Sequence, residues 1–206
     1  DQYVKLFYSS VLFDVGLFKN LYSNKERRQY MKKVLLSTLL AGFMTAAYAA
    51  DDIVVDMKFA TDKGPGDSAG TVTISMTDFG AKFTPDIKGL EEPGVRGFHI
   101  HAVGSCDASE VDGKVVPAGA AGGHWDPDKT GSHKGPWDTA GHKGDLPALY
   151  VDAEGNINYP VVAPRITDLD EIKGLAMMIH VGGDNYSDDP LPLGGGGARN
   201  LCGLIK

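Results

Sequence analysis

The sequence has a shortage of positive charge, only two cysteines, and an apolar run at residues 34–44 that is too short to span a bilayer. It has 20 lysines and arginines against 27 aspartates and glutamates, for a net charge of −7. Seven of the basic and three of the acidic residues lie within residues 1–49, so the remainder carries a net charge of −11. This acidity argues against nucleic acid or anionic lipid as a partner, and an anionic substrate would need a local positive patch.

The short apolar run has the pattern of a secretory signal. Met31 and two lysines precede it, and Ala47-Tyr48-Ala49 follows it, which are the basic, apolar and small-residue regions of a signal peptide. We therefore predict a signal peptide over residues 31–49, cleaved after Ala49 or Ala50, and a single exported domain at residues 50–206. The mature chain should then have no membrane attachment.

Residues 1–30 precede this start methionine and begin with Asp1. One hypothesis is that they are not translated, because residues 25–28 could be encoded by a purine-rich ribosome-binding site just upstream of Met31. The alternative is a genuine N-terminal extension, since residues 4–22 are apolar and aromatic enough to lie on a membrane.

Both cysteines, Cys106 and Cys202, lie in the predicted exported part. An oxidising compartment favours a disulfide between them, which would close a long loop and contribute roughly 4 to 5 kcal/mol to stability. Two buried free thiols, or a metal-binding role for Cys106, are the alternatives.

Alternation of apolar and polar residues, with short apolar runs between turn signals, predicts eight short strands and little helix. They are placed at residues 53–60, 71–76, 81–85, 95–102, 148–151, 157–162, 175–181 and 201–206. Eight strands joined by glycine-rich turns are typical of an all-β sandwich or barrel. Two long loops, at residues 103–146 and 182–199, interrupt the pattern, and loops of that length are usually functional or disordered.

Five of the six histidines lie between residues 97 and 145, and only His180 lies outside. His99 and His101 are two apart on a predicted strand, so their side chains project to the same face and can bind one ion. The following loop adds three histidines and an aspartate, which are His124, His133, His142 and Asp145. A lone histidine is more often a surface or hydrogen-bonded core residue, but this set has the spacing of ligands for a first-row metal.

Five motifs resemble the bacterial periplasmic copper,zinc superoxide dismutases, and the similarity covers essentially all of residues 51–206. They are Gly-Phe-His-Ile-His (97–101), Gly-Gly-His-Trp-Asp-Pro (122–127), His-Lys-Gly-Asp-Leu-Pro (142–147), His-Val-Gly-Gly-Asp-Asn (180–185) and Gly-Gly-Gly-Gly-Ala-Arg-Asn-Leu-Cys-Gly (194–203). The resemblance implies an immunoglobulin-like Greek-key barrel in the periplasm, with one copper and one zinc ion per subunit. It also implies an enzyme that converts superoxide to oxygen and hydrogen peroxide by alternate reduction and reoxidation of the copper.

The same resemblance implies a role for each candidate residue. Copper would be held by His99, His101, His124 and His180, and a structural zinc by His124, His133, His142 and Asp145. His124 would bridge the two ions and carry a proton during the reaction, while Asp184 would link His99 to His133. Arg199, with a weaker contribution from Lys114, would attract the superoxide anion.

Trp137 in the first long loop resembles the dimeric bacterial members of the family, which predicts a homodimer with Trp137 at or near the interface. Packing of Trp137 against its own barrel is the alternative.

Two other functions compete with the enzyme. A copper storage or delivery protein would use the same histidines without needing Arg199 or a zinc site, and a zinc hydrolase would need an open position on the zinc, which four ligands would fill.

Overall fold

The computed structural model describes residues 52–206, which form an all-β structure and confirm the predicted fold class. The predictions for residues 1–49, namely the untranslated segment or extension and the signal peptide, lie outside the described residues. Within residues 52–206, no helix is both long enough and apolar enough to cross a membrane.

Eleven strands and three short 3₁₀ helices are present in the described part of the chain. The strands are β1 Ile53–Thr61, β2 Gly64–Thr77, β3 Gly80–Ile87, β4 Gly94–Arg96, β5 Phe98–His101, β6 Ser109–Val111, β7 Lys114–Val116, β8 Leu149–Val151, β9 Val161–Ala163, β10 Ala176–His180 and β11 Arg199–Leu204. The 3₁₀ helices are η1 Gly119–Ala121, η2 Leu169–Glu171 and η3 Leu193–Gly195.

Seven strands form one antiparallel sheet in the order β5-β10-β11-β1-β2-β3-β9. Strands β11 and β1 are neighbours in this sheet, although they come from the two ends of the described chain. The strand order therefore differs from that of a simple meander. Two further pairs, β4 with β8 and β6 with β7, complete the strands. This order agrees with the Greek-key arrangement that the resemblance implied.

The segment at 95–102, predicted as one strand, is two strands that pair with different partners. β4 pairs with β8, whereas β5 pairs with β10, and Gly97 lies between them. The Gly97 N–H donates to the carbonyl of Gly182, and its own carbonyl accepts from the N–H of His180, both at 2.8 Å. The chain therefore passes from one sheet to the other immediately before the ligand-bearing strand.

Strand alternation on β5 separates the core from the candidate site. Phe98 and Ile100 belong to the main hydrophobic cluster, where the Phe98 ring packs edge-on against Phe83 with 5.5 Å between centroids. His99 and His101 point to the opposite face, yet they are buried as well. The first long loop covers them, because it forms isolated bridges that join His99 to Asp145 and His101 to His124.

The first long loop is more ordered than the sequence analysis predicted, because it contains the β6–β7 hairpin and η1. Asp112 and Gly113 form the hairpin turn with φ of 51° and 75°, and two successive positive values are what a type I′ turn requires. Asp-Gly is a recognised signal for such a turn, but the flanking strands are only three residues long. The short alternating pattern explains why the hairpin was missed.

The predicted disulfide is confirmed, since Cys106 and Cys202 are bonded with 5.7 Å between their Cα atoms. It joins the start of the first long loop to β11, and the pair packs in a second small cluster with Ala118, Ala121 and Met178. The alternatives of two free thiols or a metal-binding Cys106 are therefore wrong.

Candidate metal centre

The structure brings all seven predicted metal ligands together on the outer face of β5 and β10. Four of them, His99, His101, His124 and His180, each offer one ligand atom within 4.8 Å of the others. A second group within the same distance contains His99, His124, His133 and Asp145. All of these side chains are buried, and so is His142.

His101 and His180 are oriented by backbone carbonyls. Nδ1 of His101 lies 2.8 Å from the carbonyl oxygen of Gly122, and Nδ1 of His180 lies 3.1 Å from that of Gly197. A carbonyl can only accept, so each Nδ1 carries the proton and each Nε2 carries a lone pair. The two Nε2 atoms are 3.4 Å apart. Two lone pairs at that distance repel each other unless a cation lies between them, which fits a metal site.

A single buried carboxylate orients two more imidazoles. Asp184 Oδ2 lies 2.8 Å from His99 Nε2, and Asp184 Oδ1 lies 2.7 Å from His133 Nε2. Burial alone would raise the pKa of Asp184, but hydrogen bonds from the two histidines outweigh it and hold the pKa below its usual range. The ionised carboxylate therefore accepts from both Nε2–H groups. When the two rings are neutral, Nδ1 of each carries a lone pair, and each Nδ1 is buried without a hydrogen-bond partner among residues 52–206.

Three imidazole nitrogens converge on one oxygen of Asp145. Its Oδ1 lies 2.9 Å from His124 Nδ1, 3.0 Å from His133 Nδ1 and 3.4 Å from His142 Nδ1. Within the described residues, the Nδ1 atoms of His133 and His142 make no hydrogen bond despite this proximity, so their geometry is that of ligands rather than donors. Three imidazoles and one carboxylate form a closed tetrahedral donor set of the kind that zinc prefers.

His142 is the third imidazole around Asp145, although His99 has a ligand atom within 4.8 Å of those of His124, His133 and Asp145. The Nε2 of His99 is held by Asp184, and the ring of His99 stacks on His124 with 3.9 Å between centroids. The close approach of His99 to the second group therefore reflects its stacking on His124, which belongs to both groups. His142 Nδ1 faces Asp145 directly, so we assign it to the Asp145 group on geometry.

His124 is the residue that lies between the two groups. Its Nδ1 faces Asp145, while its ring centroid lies 5.2 Å from that of His101 and 6.1 Å from that of His180. Since Nδ1 is directed to one group, Nε2 is the atom available to the other.

Burial keeps the imidazoles of the first group neutral at pH 7. It lowers the pKa of His99 to about 3 and that of His101 to about 2, with repulsion from His124 adding to the effect. Burial likewise lowers the pKa of His180 to about 4. In His133 burial acts in the same direction, but the interactions of the ring with the carboxylates of Asp145 and Asp184 outweigh it and raise the pKa to about 9. His133 must therefore lose a proton before it can bind a cation, whereas the first group is already in its binding form.

A guanidinium lies beside the first group. Arg199, at the start of β11, pairs in the sheet with His180. Its Nη1 donates to the carbonyl of Ala118 at 2.9 Å, and its Nη2 donates to that of Gly122 at 2.6 Å. Burial lowers the pKa of Arg199, but an arginine keeps its charge at neutral pH. Lys114 lies on the exposed β6–β7 hairpin, and its contribution stays a prediction.

Sequence reasoning missed the groups that orient the imidazoles through the backbone. The carbonyls of Gly122 and Gly197 lie within quoted motifs, but a glycine in a sequence does not show where its carbonyl points. Gly194 passes directly over Asp184: a Cβ at this position would lie 2.1 Å from Asp184 Oδ1, and the φ of Gly194 is 72°. Only glycine lets the second loop pass over the buried carboxylate.

Comparisons with known proteins agree with this site. The family model for copper/zinc superoxide dismutase (SODC) matches residues 68–205. The chain is 53% identical over 176 residues to the Cu-Zn superoxide dismutase of Escherichia coli K12, covering 85% of this chain and 100% of the relative. It is also 53% identical over 174 residues to that of Photobacterium leiognathi, with 84% and 98% covered.

Among solved structures, the Cu/Zn superoxide dismutase of Brucella abortus matches with a TM-score of 0.74 and 51% identity, covering 76% of this chain and 100% of the other. The monomeric enzyme from Salmonella enterica matches with a TM-score of 0.68 and 55% identity, covering 75% and 99%. With the fold, the histidine groups and most of the chain in agreement, this protein belongs to the copper/zinc superoxide dismutase family.

Proposed function

We propose that the protein dismutes superoxide at a copper ion that shares His124 with a neighbouring zinc ion. Copper would be held by Nδ1 of His99 and by Nε2 of His101, His124 and His180. Zinc would be held by Nδ1 of His124, His133 and His142 and by Oδ1 of Asp145. The placement of His124 between the two groups is the observation that carries this assignment, since a bridging ligand must offer a nitrogen to each ion.

Copper would supply one-electron chemistry, whereas zinc, which has no redox chemistry, would hold the loop and the shared imidazole in place. His124 Nε2 can hold a proton whenever it is not bound to a metal, and it lies where it could deliver that proton to the reduced substrate. Asp184 and the two glycine carbonyls keep four other rings, those of His99, His133, His101 and His180, in the tautomers that leave one nitrogen free for a metal.

Arg199 would bring the anionic substrate to the copper. Outside residues 1–49 the chain carries a net charge of −11, so its overall field does not attract an anion. A half-buried guanidinium fixed by two carbonyls gives a local positive charge that needs no reorganisation when the substrate arrives. Lys114 would add a weaker, more distant attraction. A copper storage or delivery protein would have no use for Arg199 or for the complete zinc set.

The test is superoxide dismutation by protein loaded with one copper and one zinc ion, measured with and without cyanide. We expect cyanide-sensitive activity in the wild type and loss of most of it in His124→Ala. The metal content of the same samples shows whether activity is lost because copper no longer binds or because the bridging imidazole is missing. Activity unchanged in His124→Ala would contradict the proposed bridging role.

We also propose that the protein is a homodimer whose interface includes Trp137. The Trp137 side chain is 63% exposed and makes an edge-on contact with Tyr186, with 5.4 Å between centroids. The Tyr186 hydroxyl accepts from the N–H of Ala148, which places Trp137 near β8. Tyr150 of β8 and its partner Val95 of β4 are also exposed, so large apolar side chains accumulate on this side.

The proposed dimer is tested by measuring the mass of the protein in solution. The related enzyme from Salmonella enterica is a monomer, so the measurement can give either result. We expect Trp137→Ser to lower the mass from that of a dimer to that of a monomer. The control Phe79→Ser changes a side chain that is 78% exposed, at the turn between β2 and β3, and should leave the mass unchanged. A wild-type protein that is monomeric at micromolar concentration would contradict the proposal.

We propose that the chain is exported to the periplasm after cleavage of residues 31–49. The disulfide supports an oxidising compartment, because such bonds are rare where thiols are kept reduced. N-terminal sequencing of the exported protein should give Ala50 or Asp51 as the first residue. A precursor that starts before Met31 would contradict the hypothesis that residues 1–30 are untranslated.

A further inference from the structure

An arginine outside the proposed ligands holds the backbone that carries two of them. Arg165 follows β9 and is half-buried. Its Nη1 donates to the carbonyl of His142 at 3.0 Å, and its Nη2 donates to the carbonyl of Gly141 at 2.9 Å. One planar guanidinium thus fixes two successive peptide groups at a proposed zinc ligand.

The carbonyl of His142 also links the two ligands of this segment. It accepts the N–H of Asp145 at 3.3 Å in addition to the Arg165 guanidinium. The N–H of His142 in turn donates to the carbonyl of Ser132, the residue before His133, at 2.9 Å. Arg165 therefore acts at the point where the backbone of three proposed zinc ligands is joined.

A second ionic contact holds the same short stretch. The Lys143 ammonium lies against the carboxylate of Glu171 in η2 and 5.4 Å from the ring centroid of Trp125. Gly141, His142 and Lys143 are consequently all attached to the segment between β9 and β10. That segment contributes no ligand of its own.

Two effects of Arg165 on zinc binding have opposite signs. Its positive charge near the site opposes the binding of another cation. Its two hydrogen bonds order the loop beforehand, which removes part of the entropy that ordering the ligands would otherwise cost on binding. The sign of the net effect is measurable.

We propose that Arg165 is a positioning residue for zinc, whose hydrogen bonds hold His142 and Asp145 in their ligand arrangement and thereby raise zinc affinity. This inference rests on the proposed zinc ligands. It predicts a larger effect on the zinc site than on the copper site. Arg165 donates to the carbonyls of Gly141 and His142. The proposed copper ligands His101 and His180 are instead oriented by the carbonyls of Gly122 and Gly197, which Arg165 does not contact.

The test uses full-length mature protein, stripped of metal, with Arg165→Met and Arg165→Lys. We expect zinc affinity, measured by competition with a chromophoric chelator, to fall about tenfold or more in both variants, the range seen when groups supporting metal ligands are removed. Arg165→Lys keeps the charge but loses the two-pronged geometry. If charge alone mattered, Arg165→Met would bind zinc more tightly and Arg165→Lys would match the wild type, and either result would overturn the proposal.

Three further measurements separate positioning from general destabilisation. Copper affinity should stay within about threefold of the wild type, thermal unfolding of the apo protein should change little, and the visible spectrum of cobalt(II) in the zinc site should broaden. The control is Arg96→Lys, because Arg96 also donates to backbone carbonyls, those of Glu92 and Val95, but lies outside the segment. Equal loss of both metals, together with a lower apo stability, would mean a merely structural role and overturn the proposal.

His142→Ala distinguishes failure of this inference from failure of the ligand assignment. If His142→Ala leaves zinc affinity unchanged, the proposed zinc ligands are wrong and the inference falls with them. If His142→Ala weakens zinc binding while both Arg165 variants bind zinc as the wild type does, the ligand assignment stands and only the role of Arg165 is rejected.

Discussion

His101 and Arg199 donate hydrogen bonds to the same acceptor, the carbonyl oxygen of Gly122, at 2.8 Å and 2.6 Å. One peptide group therefore sets both the orientation of a proposed copper ligand and the position of the charge beside it. The disulfide between Cys106 and Cys202 attaches the loop that bears this peptide to β11, the strand that carries Arg199. Ligand and charge are thus held in one fixed relationship.

Arg199→Ala is expected to lower dismutation about tenfold or more at low ionic strength, because steering by local charge is worth roughly 10- to 1,000-fold in association rate. Arg199→Lys should retain part of the activity, since it keeps the charge without the paired hydrogen bonds. The measurement is activity against salt concentration at constant metal content, and the salt dependence should flatten in Arg199→Ala. Activity equal to that of an Arg96→Ala control at all salt concentrations would contradict this role.

Asp184→Asn is expected to weaken the binding of both metals by roughly 10- to 100-fold. An amide offers one acceptor oxygen and one donor nitrogen, so one of the two imidazole N–H groups would face a donor. Dialysis against graded chelator concentrations, with copper and zinc counted afterwards, measures the effect. Asp189→Asn removes the same charge from the same loop and should bind both ions as the wild type does. Loss of one metal alone would argue that Asp184 does not couple the two groups.

Replacing both cysteines by serine is expected to lower the free energy of unfolding of the apo protein by about 4 to 5 kcal/mol. The bonded residues are 96 positions apart, so the bond removes much of the freedom of the unfolded chain. Denaturant titration of the two apo proteins gives the difference. A change below about 1 kcal/mol would show that the unfolded chain gains little freedom when the bond is absent.

The apo protein should lose stability as the pH falls from 6.5 to 4.5. The pKa values of His99 and His180 are lowered to about 3 and about 4, against an ordinary value of 6.5, so the unfolded chain binds more protons in this window. Each such histidine contributes about 1.4 kcal/mol per pH unit. His133, with its pKa raised to about 9, contributes fully below pH 6.5 and does not change here. Thermal unfolding midpoints that are flat across this range would contradict the buried, neutral state of these rings.

Much of this site could be predicted because its ligands lie in patterns that local geometry explains. Two-residue spacing on a strand placed His99 and His101 on one face, and the structure shows that face covered by the first long loop. The disulfide followed from two cysteines in an exported chain. The family resemblance supplied Asp184 and Arg199, whose neighbours in sequence give no local hint of a role.

The parts that were missed depend on contacts between segments that are distant in sequence. The division between β4 and β5 at Gly97 depends on which strand lies alongside each one, and periodicity carries no such information. Arg165 is 23 residues from His142, and nothing in its own surroundings in the sequence points to that carbonyl. For the same reason, the sequence did not show that the carbonyl of Gly122 accepts hydrogen bonds from His101 and Arg199.

Strand β5 assigns alternate residues to two different tasks, with Phe98 and Ile100 in the core and His99 and His101 at the proposed copper site. Inserting or deleting one residue here would exchange the two sets, turning aromatic and aliphatic groups toward the metals and imidazoles into the oily interior. The packing of the core and the binding of the metal therefore depend on the same register of these four residues. A change of register that alters one must alter the other.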